Sequence, residues 1–201
     1  MKGIRQRRSA ATARTVILAA AEQLLVEGGV SAIQVRAVAR RAAMTDAGVT
    51  HHFGDLHGLL TALIESSGNR IRREIDAVVA TWLSGERDVE QLLRAVAAPY
   101  QKGLAELAVA LHATGWRDRG APIFGPVVTA IHAARTARPD GARPRPIDTQ
   151  LAIAAFHHAI ATDPLFGEEF RRSAGATTGE HGGAAQQLDW WIRTLRSSLN
   201  L

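Results

Sequence analysis

The sequence predicts an all-α fold, with a small three-helix unit at the N-terminus and a larger helical bundle behind it. Three observations lead there. Apolar residues recur at spacings of three and four along most of the chain, the pattern of helices with one buried face. Strand-like alternation is absent from the sequence, and so is any internal repeat. Of the 201 residues 46% are hydrophobic but only 5% aromatic, so the core must be built from aliphatic side chains and alanine, the best helix former.

Ile17, Ala20, Ala21, Leu24 and Leu25 predict a first helix over 13–27, stopped by Gly28-Gly29. Val35, Val38, Ala39 and Ala42 share one face of a second, over 34–41. Thr45 is a good N-cap and Asp46 complements the positive end of a helix dipole, so a third helix runs over 46–52 with Val49 and Phe53 inward. Helices this short are not stable alone in water and must pack on one another. The second and third, joined by a short turn, have the dimensions of a helix-turn-helix. Ala39 lets them approach closely, and Ala43 occupies the turn, where glycine is the easier choice.

After the connector GDLHG a long helix begins near Leu56 and continues to Trp82, broken by SGERD at 84–88. A helical stretch over 89–113 is kinked or divided by Pro99. Further helices are expected at 124–137 and 148–162, with DPLFGEEFRR adding a turn or two. The loop 137–146 and the glycine-rich linker 173–183 separate them from their neighbours, and the last helix covers 185–199. The expected division is an arm over 1–12, a helix-turn-helix domain over 13–55 and a bundle over 56–201.

The absence of cysteine excludes disulfides and thiolate metal sites. The start, MKGIRQRRSAATAR, lacks the apolar run of a secretory signal, and no stretch approaches the roughly 20 apolar residues of a membrane span. A cytoplasmic protein without membrane association is expected. The net charge of +5 is localised: residues 1–53 hold eight Lys/Arg against three acids, and the rest of the chain balances to zero. A basic terminus alone is often only solvated. Directly ahead of a folded helix-turn-helix, Arg5, Arg7 and Arg8 read as an electrostatic arm for nucleic acid.

The segments ILAAAEQLLVEGG, VRAVARRAAM and GVTHHFGDLHGLL, spanning about Thr15 to Leu60, resemble the DNA-binding domain of the TetR-like transcriptional regulators. The order of short helices, the His-Phe pair closing the third and the immediate start of a long fourth helix carry the resemblance. The sequence departs from that family at Ile33, where a capping Thr or Ser is usual, at Gly48, where a hydroxyl residue is frequent, and at Leu56, where a phosphate-binding lysine is common.

The second helix of a helix-turn-helix enters the major groove with its N-terminal residues on base edges. Asp46 can accept from cytosine N4, Ala47 can rest on a thymine methyl, and Thr50 is adaptable. Arg36 is the candidate for a bidentate contact to guanine. The resemblance places Thr50, His51 and His52 along the phosphate backbone, with Thr45 adding its hydroxyl and amide. Solvation accounts equally well for Arg36 and Arg40, and a dipole role for Asp46. A zinc pair at His51 and His52 is disfavoured, because adjacent helical residues point about 100° apart. No nucleophile or carboxylate partner supports catalysis, so no enzyme, metal or cofactor is expected.

The resemblance further implies a homodimer built from the last two large helices, through Ile153, Phe156, His157 and Ile160 on one and Leu188, Trp191, Ile192 and Leu195 on the other. Ordinary intramolecular core is the alternative use of the same stripes. It also implies an effector pocket in the bundle, with Trp82, His112, Trp116, Phe124, His132 and Phe156 as candidates for an apolar or aromatic small molecule. Buried, hydrogen-bonded core is the alternative for His112, His132 and His157. The expected function is a ligand-responsive regulator, a repressor released from a palindromic operator. The alternative is a helical small-molecule-binding protein or adaptor without DNA readout.

Overall fold

The computed structural model describes residues 10–85, 87–101, 103–117, 119–120, 122–138, 143–176 and 183–201. Among these it is all α, with helices α1 (Ala10–Gly28), α2 (Val35–Arg41), α3 (Asp46–Phe53), α4 (Leu56–Ser84), α5 (Val89–Ala97), α6 (Leu104–Ala113), α7 (Gly125–Thr136), α8 (Pro146–Ser173) and α9 (Gly183–Leu199). The chain divides into two compact units. The first gathers α1 to α3, α4 as far as Ser67, and α6; the second gathers α4 from Gly68, α5, α7, α8 and α9.

In the first unit, α1 buries the predicted stripe Ile17, Ala20, Ala21, Leu24 and Leu25 against Val38 and Ala39 of α2 and Val49 and Phe53 of α3. Gly29, in the left-handed region at φ 68°, ends α1 and donates its amide to the Leu25 carbonyl at 2.9 Å. A 3-10 turn over Val30–Ala32 then leads into α2. Ile33, expected to stand at the cap of α2, lies one residue before the Gln34 cap and is only 2% exposed. Its side chain belongs to the core, which explains why isoleucine occupies this position. α6 joins this unit: Gly103, at φ 75°, brings its backbone onto Leu25, where an added Cβ would lie 3.1 Å from the Leu25 side chain.

The second unit is held by the apolar faces of α5, α7, α8 and α9, meeting at Leu93, Val96, Val127, Ile131, Phe156 and Ile192. The stretch 89–113 is two helices, divided by a 3-10 turn at Ala98–Gln101 that contains Pro99. The segment DPLFGEEFRR adds its turns as the end of one helix, since α8 runs unbroken through Pro164 to Ser173. The Asp163–Arg171 ion pair spans two turns on the side where Gly167 has no side chain. A Cβ at Gly167 would sit 2.1 Å from the Asp163 carboxylate. Continued burial of Ile160 and Gly167 on the face that carries Phe156 outweighs the one backbone hydrogen bond that proline removes. Ser173 and Gly183 are helical ends, and the rest of the expected linker between 177 and 182 lies outside the described residues. No described helix is long and apolar enough to cross a membrane.

Candidate nucleic-acid interface

The turn between α2 and α3 sets the geometry. Ala43 sits in the left-handed region at φ 52°. Its amide donates to the Arg40 carbonyl (3.3 Å), and the Met44 amide reaches back to Ala39 (2.9 Å). This is the paired-bond helix ending usually built on glycine. The ends of α6, α8 and α9 repeat it with Gly115, Gly175 and Asn200 in the left-handed position. Ala43 is the exception, and it makes the turn that orients α3.

Thr45 caps α3 as expected: its Oγ1 accepts from the Gly48 amide at 3.1 Å. Gly48 suits this cap, since a Cβ there would press to 3.2 Å from Thr45 Oγ1. Asp46, Ala47, Thr50 and His51 are exposed, and His52 is half-buried. Val49 and Phe53 face the core. Thr50 donates its hydroxyl to the Asp46 carbonyl (3.0 Å), which leaves its oxygen as an acceptor on the outer face. The rings of His51 and His52 meet edge to face with centroids 5.3 Å apart, not side by side as chelation requires.

On α2, Arg36 and Arg40 are exposed. Arg41 differs, making a two-pronged ion pair with Glu27 of α1 at 2.6 and 2.7 Å. That hydrogen-bonded partner holds the Glu27 carboxyl below its ordinary range and raises the Arg41 guanidinium. Arg36 and Arg40 are therefore the cations of α2 whose charge is not matched this way. Arg5, Arg7 and Arg8 lie outside the described residues.

Two features were not anticipated. Asp55 caps α4, its carboxylate accepting from the Gly58 amide at 2.8 Å, and Gly58 lies against the end of α3. A Cβ there would fall 2.1 Å from the Phe53 carbonyl oxygen. Any side chain at position 58 would collide with the last turn of α3. The Asp-x-x-Gly spacing is a readable cap signal, but the close approach is visible only in three dimensions. The second is Arg14, taken up below.

Residues 17–63 match the family model of bacterial regulatory proteins, tetR family. That segment is TetR-like. No curated protein matches the chain. Among solved structures, a candidate TetR-family transcriptional regulator from Mesorhizobium loti MAFF303099 is similar at 14% identity, covering 95% of this chain and 98% of that one with a TM-score of 0.62. A TetR-family transcriptional regulator from Streptomyces coelicolor is similar at 23% identity, covering 96% and 98% with a TM-score of 0.53. A protein of unknown function from Rhodococcus sp. RHA1 reaches 22%, 96% and 98% with a TM-score of 0.55. At these identities the likeness is one of fold: an N-terminal helix-turn-helix followed by a helical bundle.

The other expected sites lie on the helices that follow α3. Ile153, Phe156, Ile160, Ile192 and Leu195 are buried within the chain, where α8 and α9 pack on each other. Leu188 and Trp191 are half-buried. His157 faces inward to the Tyr100 hydroxyl (2.8 Å) and stacks on Phe124, centroids 4.4 Å apart. Burial pushes the Tyr100 hydroxyl above its ordinary pKa. These stripes serve the intramolecular core, and the exposed side of the two helices presents Ile147, Leu151 and Trp190 instead.

The effector candidates are divided between the two units. His112 and Trp116 belong to the first unit, the remainder to the second. Within the second unit His132 bonds Thr149 (3.1 Å), which also accepts from the buried Arg135 (2.6 Å). Phe156 is fully enclosed. Trp82 lines a cavity of about 330 Å³ with Val78, Leu92 and Ala95, and Arg87 and Gln91 supply its polar wall.

Proposed function

We propose that this TetR-like chain is a transcriptional regulator that binds a palindromic operator as a homodimer and represses until a small molecule releases it. The outer face of α3 carries this reading. Asp46, Ala47, Thr50 and His51 are exposed in a row on a helix anchored from behind by Val49 and Phe53. Asp46 and Thr50 offer acceptors to base-edge donors, Ala47 offers a methyl contact, and Arg36 offers two parallel donors suited to guanine. His51, His52 and the Thr45 hydroxyl are set to donate to phosphates, which fixes register and leaves sequence to the base contacts. The arm residues Arg5, Arg7 and Arg8 supply charge where Ile33 and Leu56 offer none.

Dimerisation brings two recognition helices onto two half-sites. We assign the dimer face to the exposed side of α8 and α9, where Leu151 is 62% and Trp190 49% exposed, because the inward stripes are already occupied. The effector is apolar or aromatic with an acceptor group, and the cavity beside Trp82 is the candidate site in the second unit. α4 contributes to both units, so a ligand that favours one arrangement of the second unit has a covalent route to the end of α3.

Selection of random duplex DNA by the purified protein at moderate salt tests the reading. Enrichment of a palindrome whose half-sites lie about one helical turn apart is expected. Retention of no motif would mean that DNA readout has been lost and that the chain acts as a helical small-molecule-binding protein.

A further inference from the structure

Arg14 stands on α1, thirty-eight residues before the α3 residue whose carbonyl it touches. Its guanidinium donates to the His52 carbonyl in the last turn of α3 and lies over the Phe53 ring, 4.3 Å from guanidinium carbon to ring centroid. In the sequence Arg14 is one of the eight basic residues of the first 53, with nothing to mark it out from the rest. The geometry points to a specific use, and we propose that Arg14 is a positioning residue that clamps the C-terminal end of the recognition helix onto α1.

The physical need is specific. The last four carbonyls of any helix lack intrahelical donors. In α3 the Thr50 carbonyl is served by the Gly54 amide at 2.7 Å, and the Phe53 carbonyl lies against Gly58. The His52 carbonyl receives Arg14. A cation at this end also opposes the negative pole of the helix, and its flat face covers the aromatic ring that anchors α3 from behind. At the other end α3 is held by the Thr45 cap and the Ala43 turn. With both ends fixed, the rotation of α3 about its own axis is fixed, and that rotation decides whether Asp46, Ala47 and Thr50 face outward together. Arg14 thus acts on DNA through the helix it holds, and this consequence rests on the reading of α3 as the recognition helix.

Two readouts on the full chain test this, one of them without DNA. Amide hydrogen exchange over residues 46–54 is measured for the wild type, Arg14→Met and Arg14→Lys, alongside titration of the selected duplex at several salt concentrations. A clamp predicts exchange in the second half of α3 faster by about tenfold in Arg14→Met, with Arg14→Lys intermediate because it keeps a donor but loses the planar stack. Exchange in α8 and α9 stays as in the wild type. Duplex affinity falls about tenfold with the salt slope unchanged, because no phosphate contact has been removed. Unchanged exchange in α3 with a slope lowered by about 0.9 would make Arg14 a phosphate ligand and overturn the proposal. Unchanged exchange with unchanged binding would overturn it too. Should Arg14→Met unfold the first unit outright, Arg14→Lys decides, and wild-type exchange in that variant overturns the clamp. A wild type that binds no duplex would refute the DNA reading, while the exchange data still judge the clamp.

Discussion

Helices α3 and α8 are held in place by different physics. α3 has eight residues, too few to persist alone, and beyond its two buried anchors, Val49 and Phe53, it is fixed by single polar or backbone groups at its ends: Thr45, Ala43, Arg14 and the close approach of Gly58. α8 has 28 residues and carries a proline in its interior without ending, because a continuous buried face through Thr149, Ile153, Phe156 and Ile160 holds it along its length. A short helix that must be aimed is governed by its ends, and a long helix that must be stacked is governed by its face. Substitutions at termini should therefore be felt in α3, and truncations of apolar side chains in α8.

The sharpest test contrasts two positions of α8. Phe156→Ala, at a fully enclosed site, is expected to cost about 4 kcal/mol by denaturant titration. Leu151→Ala, on the exposed side, should change monomer stability by less than about 0.5 kcal/mol while weakening self-association measured by sedimentation. Equal costs at both positions would remove the distinction between core stripe and dimer face.

Two glycines of α4 give the next contrast. Gly58→Ala places a methyl group against the Phe53 carbonyl and should destabilise the first unit by roughly 3 kcal/mol, with loss of duplex binding. Gly68→Ala meets only the Ile123 side chain at 4.0 Å and should stabilise by up to about 1 kcal/mol through helix propensity. Smaller effects are expected around the turn. Thr45→Ala removes a cap and should cost about 1 kcal/mol. Ala43→Gly relieves a left-handed alanine and should return about the same amount. Thermal melts of the two variants should move in opposite directions.

The smallest effect is electrostatic. Arg41 holds the Glu27 carboxyl below its ordinary value of 4.5, so the pair stabilises the fold at pH above that value. The contribution disappears as acid takes the pH down through the lowered folded value. Both groups are solvent-facing, so Glu27→Gln should separate only slightly from the wild type at neutral pH and converge with it in acid. A gap that widens in acid would contradict the sign.

Much of α3 was legible because its determinants are local. Thr45 precedes a dipole-favouring Asp46, Val49 and Phe53 share one face, and Ala43 sits where a turn wants glycine. The recurrence at Ile17, Ala20, Ala21, Leu24 and Leu25 likewise marks a buried stripe in one helix. What the sequence could not supply were contacts between distant positions. Arg14 carried no signal of its role because its partner carbonyl lies thirty-eight residues away, and Gly58 looked like a connector because the carbonyl it accommodates belongs to another helix. The stripes on α8 and α9 showed burial without showing what covers them, and the covering surface is mutual. α8 continues through Pro164 because helix propensity is local, whereas the packing along its face is not. The contacts of His132 with Thr149 and of Phe124 with His157 likewise join distant positions.

On the proposed function, the outer face of α3, with Arg36 beside it, reads DNA while the histidines at its end position it. The most direct measurement titrates the wild type, Arg36→Ala and His52→Ala against a selected duplex and a scrambled one. The account predicts that Arg36→Ala narrows the ratio between the two duplexes, by about 1 to 3 kcal/mol in free energy. His52→Ala should weaken both about equally and preserve the ratio. Unchanged binding in both variants, with the wild type still discriminating, would contradict the placement of the recognition surface.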